Sequence, residues 1–553
     1  MPNFIQTASL SLAALVLAVA PLASRAEQTR ADAQKDPVLN AMLTELDRNQ
    51  GQLQLKGFEK PFFIQYRLED IDDYQTKADF GAGTGEERRR QRVVRVTVRV
   101  GDYKVDSSTA RGDGSIQLAS LDNDPLALRA SLWQATDQAY KAALAAYSRK
   151  QAALKQVQTP PQADDFSQEK PVILLEKTVE LEPRPVDWSK LVAGASGLYR
   201  TDSALAEVEH TVQYATAGFH ARAVNTYLVN SEGTIVRKGQ TAYDESFAVG
   251  TQAADGMHLD RSYASNGSAL ADLDSQEAFN KHAASLVASL AELRKAPLVE
   301  EEYHGPVLLS ADAAADTIHE LVAPAVAATR PELGTEARTK GAFASSLHAR
   351  VLPDFLDITD DPALKTWKDK NLAGAYAVDD EGVPAQTVKL AVDGRLESYL
   401  IGREPVRDFP RSNGHARAAL TGPAQPTIGV LRVSAKGGLS DADLNAKLLA
   451  MAKDRGLKNV YYVETLGPEL TPRLLYRVGA DGKRELVRGA TLDDLDQRAL
   501  RSGILAAGQD PYVANYDGAI PETVLAPALL LEDVTIRRAN EKNDKLPFYP
   551  PPD

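Results

Sequence analysis

The 553-residue chain contains no cysteine. That absence excludes a cysteine nucleophile, a thiolate zinc ligand, a Cys-ligated iron–sulfur cluster and any disulfide. A chain of this size without disulfides must be held by its cores alone. Excess positive charge is missing too: 63 Lys and Arg stand against 76 Asp and Glu, a formal net charge of −13. Nucleic-acid backbones need a basic face, so nucleic acid is not expected as the main partner, although a local basic patch remains compatible with this balance. Long apolar runs are scarce. The main one, Leu10–Leu22, is too short to span a bilayer and is followed by Ser24 and Ala26 at the −3 and −1 positions before Glu27. Residues 1–26 therefore read as a secretory signal peptide, which predicts a secreted or periplasmic protein. An uncleaved anchor is the alternative, since no Lys or Arg precedes the run. No later stretch approaches the roughly 18 apolar residues of a span, so stable membrane insertion is not expected.

What is present is ordinary globular composition, 43% hydrophobic and 25% charged, on a chain long enough for about two to four domains. Residues 27–155 read as an N-terminal α+β domain. A strand is predicted in "PFFIQYRLEDI", then a Gly-rich polar connection "DFGAGTGEERRRQ". The strand "RVVRVTVRV" follows, in which Val94, Val96, Val98 and Val100 alternate with Arg95, Thr97 and Arg99, the period of a half-buried strand. Asp124 and Pro125 are the N-cap and first residue of a long helix. Residues 156–171 are polar and Pro-bearing, a linker. Residues 172–300 form a middle α+β section completing the N-terminal part, with a short helix near Trp188, strands turning at Asn230–Gly233, and a helix from Ser275 to Leu293. Residues 301–545 form a strand-rich C-terminal domain, with a hairpin signal at Asp393-Gly394 and a capped helix in "SDADLNAKLLAMAKDRG". Residues 546–553 are a Pro-rich tail.

The segment "ADTIHELVAPAVAATRP" holds the single His-Glu dipeptide, His319-Glu320. In an HExxH helix the second His sits four residues on, so that both imidazoles reach one metal. That position is Ala323, and in the longer HExxxH spacing it is Pro324; neither can ligate. Pro324 also clashes with the carbonyl of Glu320 and is expected to bend the helix there. Ala311, Ala314, Ala315, Ile318 and Val322 form the apolar stripe, with His319 at its edge. The plainer reading is the polar flank of a packed helix. The other seven histidines share no metal-ligand spacing. "GAGTG" (81–85) lacks the Lys-Ser/Thr of a phosphate loop, "GASGL" (194–198) misses the nucleophile elbow, and "RGD" (111–113) is most simply a turn.

"AYAVDDEGVPAQTVKLAVDGRLESYLIGREPVRDFPRSNGHARA" resembles the C-terminal domain of the TldD/PmbA proteins, the modulator-of-gyrase or metallopeptidase-related family. It carries that family's "DDEG-P-Q" segment, the "DG-L" strand pair and the "S-NG-AR" loop in order. "NSEGT" (230–234) is similar to the family's middle signature, and "VLAPALLLEDVTIRR" to an exported bacterial subgroup. The resemblance covers most of residues 38–545. It implies an α+β N-terminal domain, a strand-rich C-terminal domain and usually a dimer. Catalytic subunits of the family carry zinc on HExxxH plus a later Cys and cleave unfolded or peptide substrates; a partner subunit lacks those ligands.

With His319 as the first motif His and Glu320 as general base, Pro324 replaces the second His and the Cys is missing. Catalytic zinc needs three protein ligands, so zinc is expected only with a remodelled site. The expected function is a protein that binds peptide or unfolded segments, as a homodimer or beside a catalytic paralogue, with Asn413 and His415 of the "SNGHAR" loop as peptide-binding candidates. The alternative is an active metal-dependent peptidase drawing ligands from His319, Glu320, His348 or His415.

Overall fold

The computed structural model describes residues 28–108, 114–158, 161, 163–182, 186–200, 212–420 and 422–539. The expected signal peptide, the RGD tripeptide, His210 and the Pro-rich tail lie outside the described residues.

A seven-stranded sheet forms the first half. Its strands are β1 (Pro61–Asp79), β2 (Ala82–Val100), β3 (Ser115–Ala119), β4 (Ile173–Leu175), β5 (Val212–Asn230), β6 (Ile235–Gln252) and β7 (His258–Gly267), in the order β3-β2-β1-β5-β6-β4, with β7 also on β6. All pairs are antiparallel except β4 with β6. The sections before and after residues 156–171 thus share one sheet through the β1–β5 pairing. Helices α1 (Pro37–Gln52), α2 (Pro125–Leu154), α3 (Trp188–Ser196) and α4 (Gln276–Lys295) cover one face. Asp36, Asp124, Asp187 and Ser275 cap them by accepting first-turn N–H groups, which is why each begins where it does.

Two expectations change. The Gly-rich stretch after Asp79 is not a connection but the first half of β2. Its polar residues pair with β1 down to Asp79↔Ala82, and Arg88 meets Asp72 across the strands. Only Phe80 and Gly81 make the turn, both with positive φ (49° and 86°), the primed hairpin geometry that matches strand twist. The linker is packed rather than free: Asp165, Phe166 and Ser167 are buried, with the Phe166 ring between the Arg99 and Arg403 guanidiniums at 4.2 and 4.0 Å.

The second half is an eleven-stranded mixed sheet. Its strands are β8 (Tyr303–Leu309), β9 (Leu356–Asp360), β10 (Val388–Val392), β11 (Arg395–Leu396), β12 (Val430–Ala435), β13 (Asn459–Leu466), β14 (Pro472–Gly479), β15 (Arg484–Val487), β16 (Ala490–Asp493), β17 (Ile504–Asp517) and β18 (Pro521–Arg538). β18 is the hub, pairing with β8, β12, β16 and β17. Helix α5 (Ala311–Leu321) packs on one face beside Leu529 and Leu531. Helix α6 (Asp441–Asp454) packs on the other, beside Leu308, Ala528 and Leu530. Central strands buried on both faces explain the unbroken apolar runs "PVLL" and "VLAPALLL". The Asp393-Gly394 hairpin forms as expected, with φ of 50° and 69°. Much of residues 361–429 is irregular, with several strands of two residues.

Candidate functional site

Helix α5 carries the His-Glu pair. Ser310 caps it, accepting from Ala313 N at 3.0 Å, and Ala314, Ala315 and Ile318 are fully buried against the sheet. The helix stops at Leu321, and a separate turn, Ala323–Val326, carries Pro324. This is the break that a proline without an N–H imposes on the carbonyl four residues earlier.

The opposite flank presents Asp312, Asp316 and His319, spaced i, i+4 and i+7, so they lie along one stripe. His319 stacks on Tyr516 of β17 with ring centroids 3.8 Å apart and planes within 14°. Its Nε2 is 2.8 Å from Glu522 Oε2, while Thr427 donates to the other oxygen of Glu522. The Tyr516 hydroxyl donates to Asp316 Oδ1 at 2.9 Å. Burial, reinforced by Asp316 and Glu464, pushes the Asp312 carboxyl up to about 6. Burial raises Asp316 as well, against the Tyr516 hydrogen bond. The Tyr516 hydroxyl is driven far up by burial and by the adjacent Asp316. Glu320 stands exposed on the flank.

The "SNGHAR" loop is occupied with its own fold. The Asn413 side chain accepts from Ile401 N at 2.8 Å and donates to Tyr399 O at 2.7 Å. His415 is fully buried, with Nδ1 3.0 Å from Asn413 O and Nε2 3.3 Å from Asp360 Oδ1. Asp360 in turn accepts from the N–H groups of Gly429 and Val430, tying the loop to the sheet. His348 is on the surface beside Glu397 at 3.0 Å. The structure brings His319 to Glu522, Tyr516 and Asp316, and gives His348 and His415 separate partners. Among the described residues, no three His, Asp or Glu side chains are grouped so as to hold a metal.

Sequence reasoning missed Tyr516, Glu522 and Asp316. The stripe of Asp312, Asp316 and His319 could have been found from its spacing; Tyr516 and Glu522 arrive from strands about 200 residues away, which no local pattern reveals.

Residues 301–538 match the family model of the PmbA/TldA metallopeptidase C-terminal domain. Over those residues the chain carries a TldD/PmbA-family C-terminal domain. Its fold agrees with that of solved structures. A Thermotoga maritima protein described as a candidate modulator of a DNA gyrase aligns over 90% of this chain and 100% of its own, with a TM-score of 0.59 and 14% identity. TldE from Thermococcus kodakarensis aligns over 90% of this chain and 99% of its own, with a TM-score of 0.58 and 14% identity. A Bacteroides thetaiotaomicron protein, also described as a candidate modulator of DNA gyrase, covers 92% and 99%, with a TM-score of 0.54 and 12% identity. No curated protein sequence matches the chain. The TldD/PmbA architecture, an α+β N-terminal part and a strand-rich C-terminal part, is the one described above.

Proposed function

We propose that this chain is an exported TldD/PmbA protein that binds extended peptide without cleaving it, either as a homodimer or beside a catalytic paralogue. The observation that carries this reading is the broken helix: Pro324 stands where a second motif His would be, and the helix ends three residues earlier, at Leu321. The residues present do not fit a zinc site of the HExxxH-plus-Cys kind. His319 already faces Glu522, Glu320 is exposed, and the chain has no cysteine. A catalytic zinc takes three protein ligands, and without it Glu320 has no activated water to deprotonate. The leader at residues 1–26 supports export. The cavity between the first sheet and the irregular segments of the second half, about 740 Å³, offers room for a few residues of extended chain.

Purified protein equilibrated with zinc and desalted tests the first part by elemental analysis. The expected result is well under one zinc per chain and no chelator-sensitive cleavage of a labelled unfolded peptide. One zinc per chain, lost in His319→Ala, would overturn the reading. Fluorescence anisotropy with the same peptide tests binding, and saturable binding is expected.

A further inference from the structure

The side of "RVVRVTVRV" that alternates with valine does not face water. Val94, Val96 and Val98 pack toward α1 and α2, whereas Arg95, Thr97 and Arg99 line the cavity between the first sheet and the irregular segments of the second half. β1 contributes Phe63, Gln65 and Arg67 to the same wall, in register opposite Arg99, Thr97 and Arg95 respectively. Arg67 and Arg95 are thus direct cross-strand neighbours. Like charges so placed repel each other, and more strongly where water is excluded.

The lining is basic in an acidic protein: ten Arg and Lys side chains against five carboxylates. Some of the cations are neutralised from just outside the lining, Arg99 by Asp106 at 2.6 Å and Arg403 by Glu232 at 2.7 Å. Arg67 is not comparably satisfied. It is 4% exposed, and one terminal nitrogen donates to Gly422 O at 2.7 Å. Among the described residues its Nε has no hydrogen-bond partner, although Glu69 Oε1 lies 3.3 Å away. Burial pushes the Glu69 carboxyl up to about 8 against the pull of Arg67, which weakens the pairing between them at neutral pH. The Asp380 carboxylate feels Arg67 too, but it is already paired with Lys238 at 2.7 Å and Arg417 at 3.5 Å. Arg149 and Lys340 are exposed among the lining residues, where they can draw an anion inward.

We infer that the cavity is an anion-binding site for a ligand that carries at least two carboxylate or phosphate groups. A guanidinium such as that of Arg67 matches either group in forked geometry. This goes beyond peptide binding as such, because it assigns the charge of the ligand and the wall that reads it.

The test is titration calorimetry of the full mature chain at low salt with three probes: acetyl-tetraglutamate amide, acetyl-tetraglutamine amide and tripolyphosphate. Binding of tetraglutamate or tripolyphosphate is expected, weakened about tenfold or more by Arg149→Glu with Lys340→Glu, and weakened by added salt. Whichever anion binds more tightly names the source of the charge. Arg67→Gln, checked for folding by circular dichroism, should weaken binding as well; the exposed pair keeps the test decisive if it does not fold. Failure of both anions to bind, or affinities that the charge reversals leave unchanged, would overturn the anion site. Equal binding of tetraglutamine would also overturn it while leaving the peptide reading intact.

Discussion

Replacing Glu69 by Gln should stabilise the protein at neutral and alkaline pH. Glu69 is 5% exposed on β1, and among the described residues its Oε2 has no hydrogen-bond partner. Burial raises its carboxyl from 4.5 to about 8, against the pull of Arg67. Between those values the folded chain keeps a proton that the unfolded chain has released. The contribution of Glu69 to stability is therefore greatest below 4.5 and falls as pH rises toward 8. At ~1.4 kcal/mol per pH unit, the loss reaches about 3 kcal/mol at pH 7 and about 5 kcal/mol above pH 8. Gln keeps the shape and removes the titration. Urea midpoints of both proteins between pH 5 and pH 8.5 check this. The advantage of Glu69→Gln should be small at pH 5 and grow steadily to pH 8.5. A difference that stays flat with pH would refute the assignment of a raised, buried Glu69.

Three further outcomes follow from packing. Arg403, 1% exposed, pairs with Glu232 and donates to Ser167 O, so Arg403→Met strands Glu232 and should cost about 3–5 kcal/mol in urea unfolding; a loss below about 1 kcal/mol would show that the contact does not tie the halves together. Gly394 has φ of 69°, and an added Cβ would lie 2.1 Å from Leu352 O, so Gly394→Ala should lower the thermal midpoint through about 1–3 kcal/mol of strain or more. Phe279 is fully buried between α4 and the first sheet; Phe279→Ala should cost about 3–5 kcal/mol, measured by urea unfolding.

Legibility differed by element. The capped starts at Asp124, Ser275 and Ser440 and the Asp393-Gly394 turn were readable, because each is settled by a side chain or φ preference within a few residues. The first half of β2 was not. Glycine and arginine have little strand preference of their own, and the hydrogen bonds to β1 supply what they lack. At the candidate site, His319 and the obstruction at Pro324 were legible, whereas Glu522 and Tyr516 were not. Asn413 and His415 drew notice as polar loop residues, yet the structure turns both inward to hold the loop.

The sequence by itself determined which chemistry lacks its groups: no thiolate, no second motif histidine, no unbroken helix through Pro324. It also determined the alternation in "RVVRVTVRV", because side chains on a strand must alternate whatever surrounds them. Only the tertiary structure decided what the arginine side meets. Water would have made it an ordinary outer face. Packing the second half of the chain over that side turned it into the wall of a cavity, where poorly screened charge must be matched by protein or by ligand.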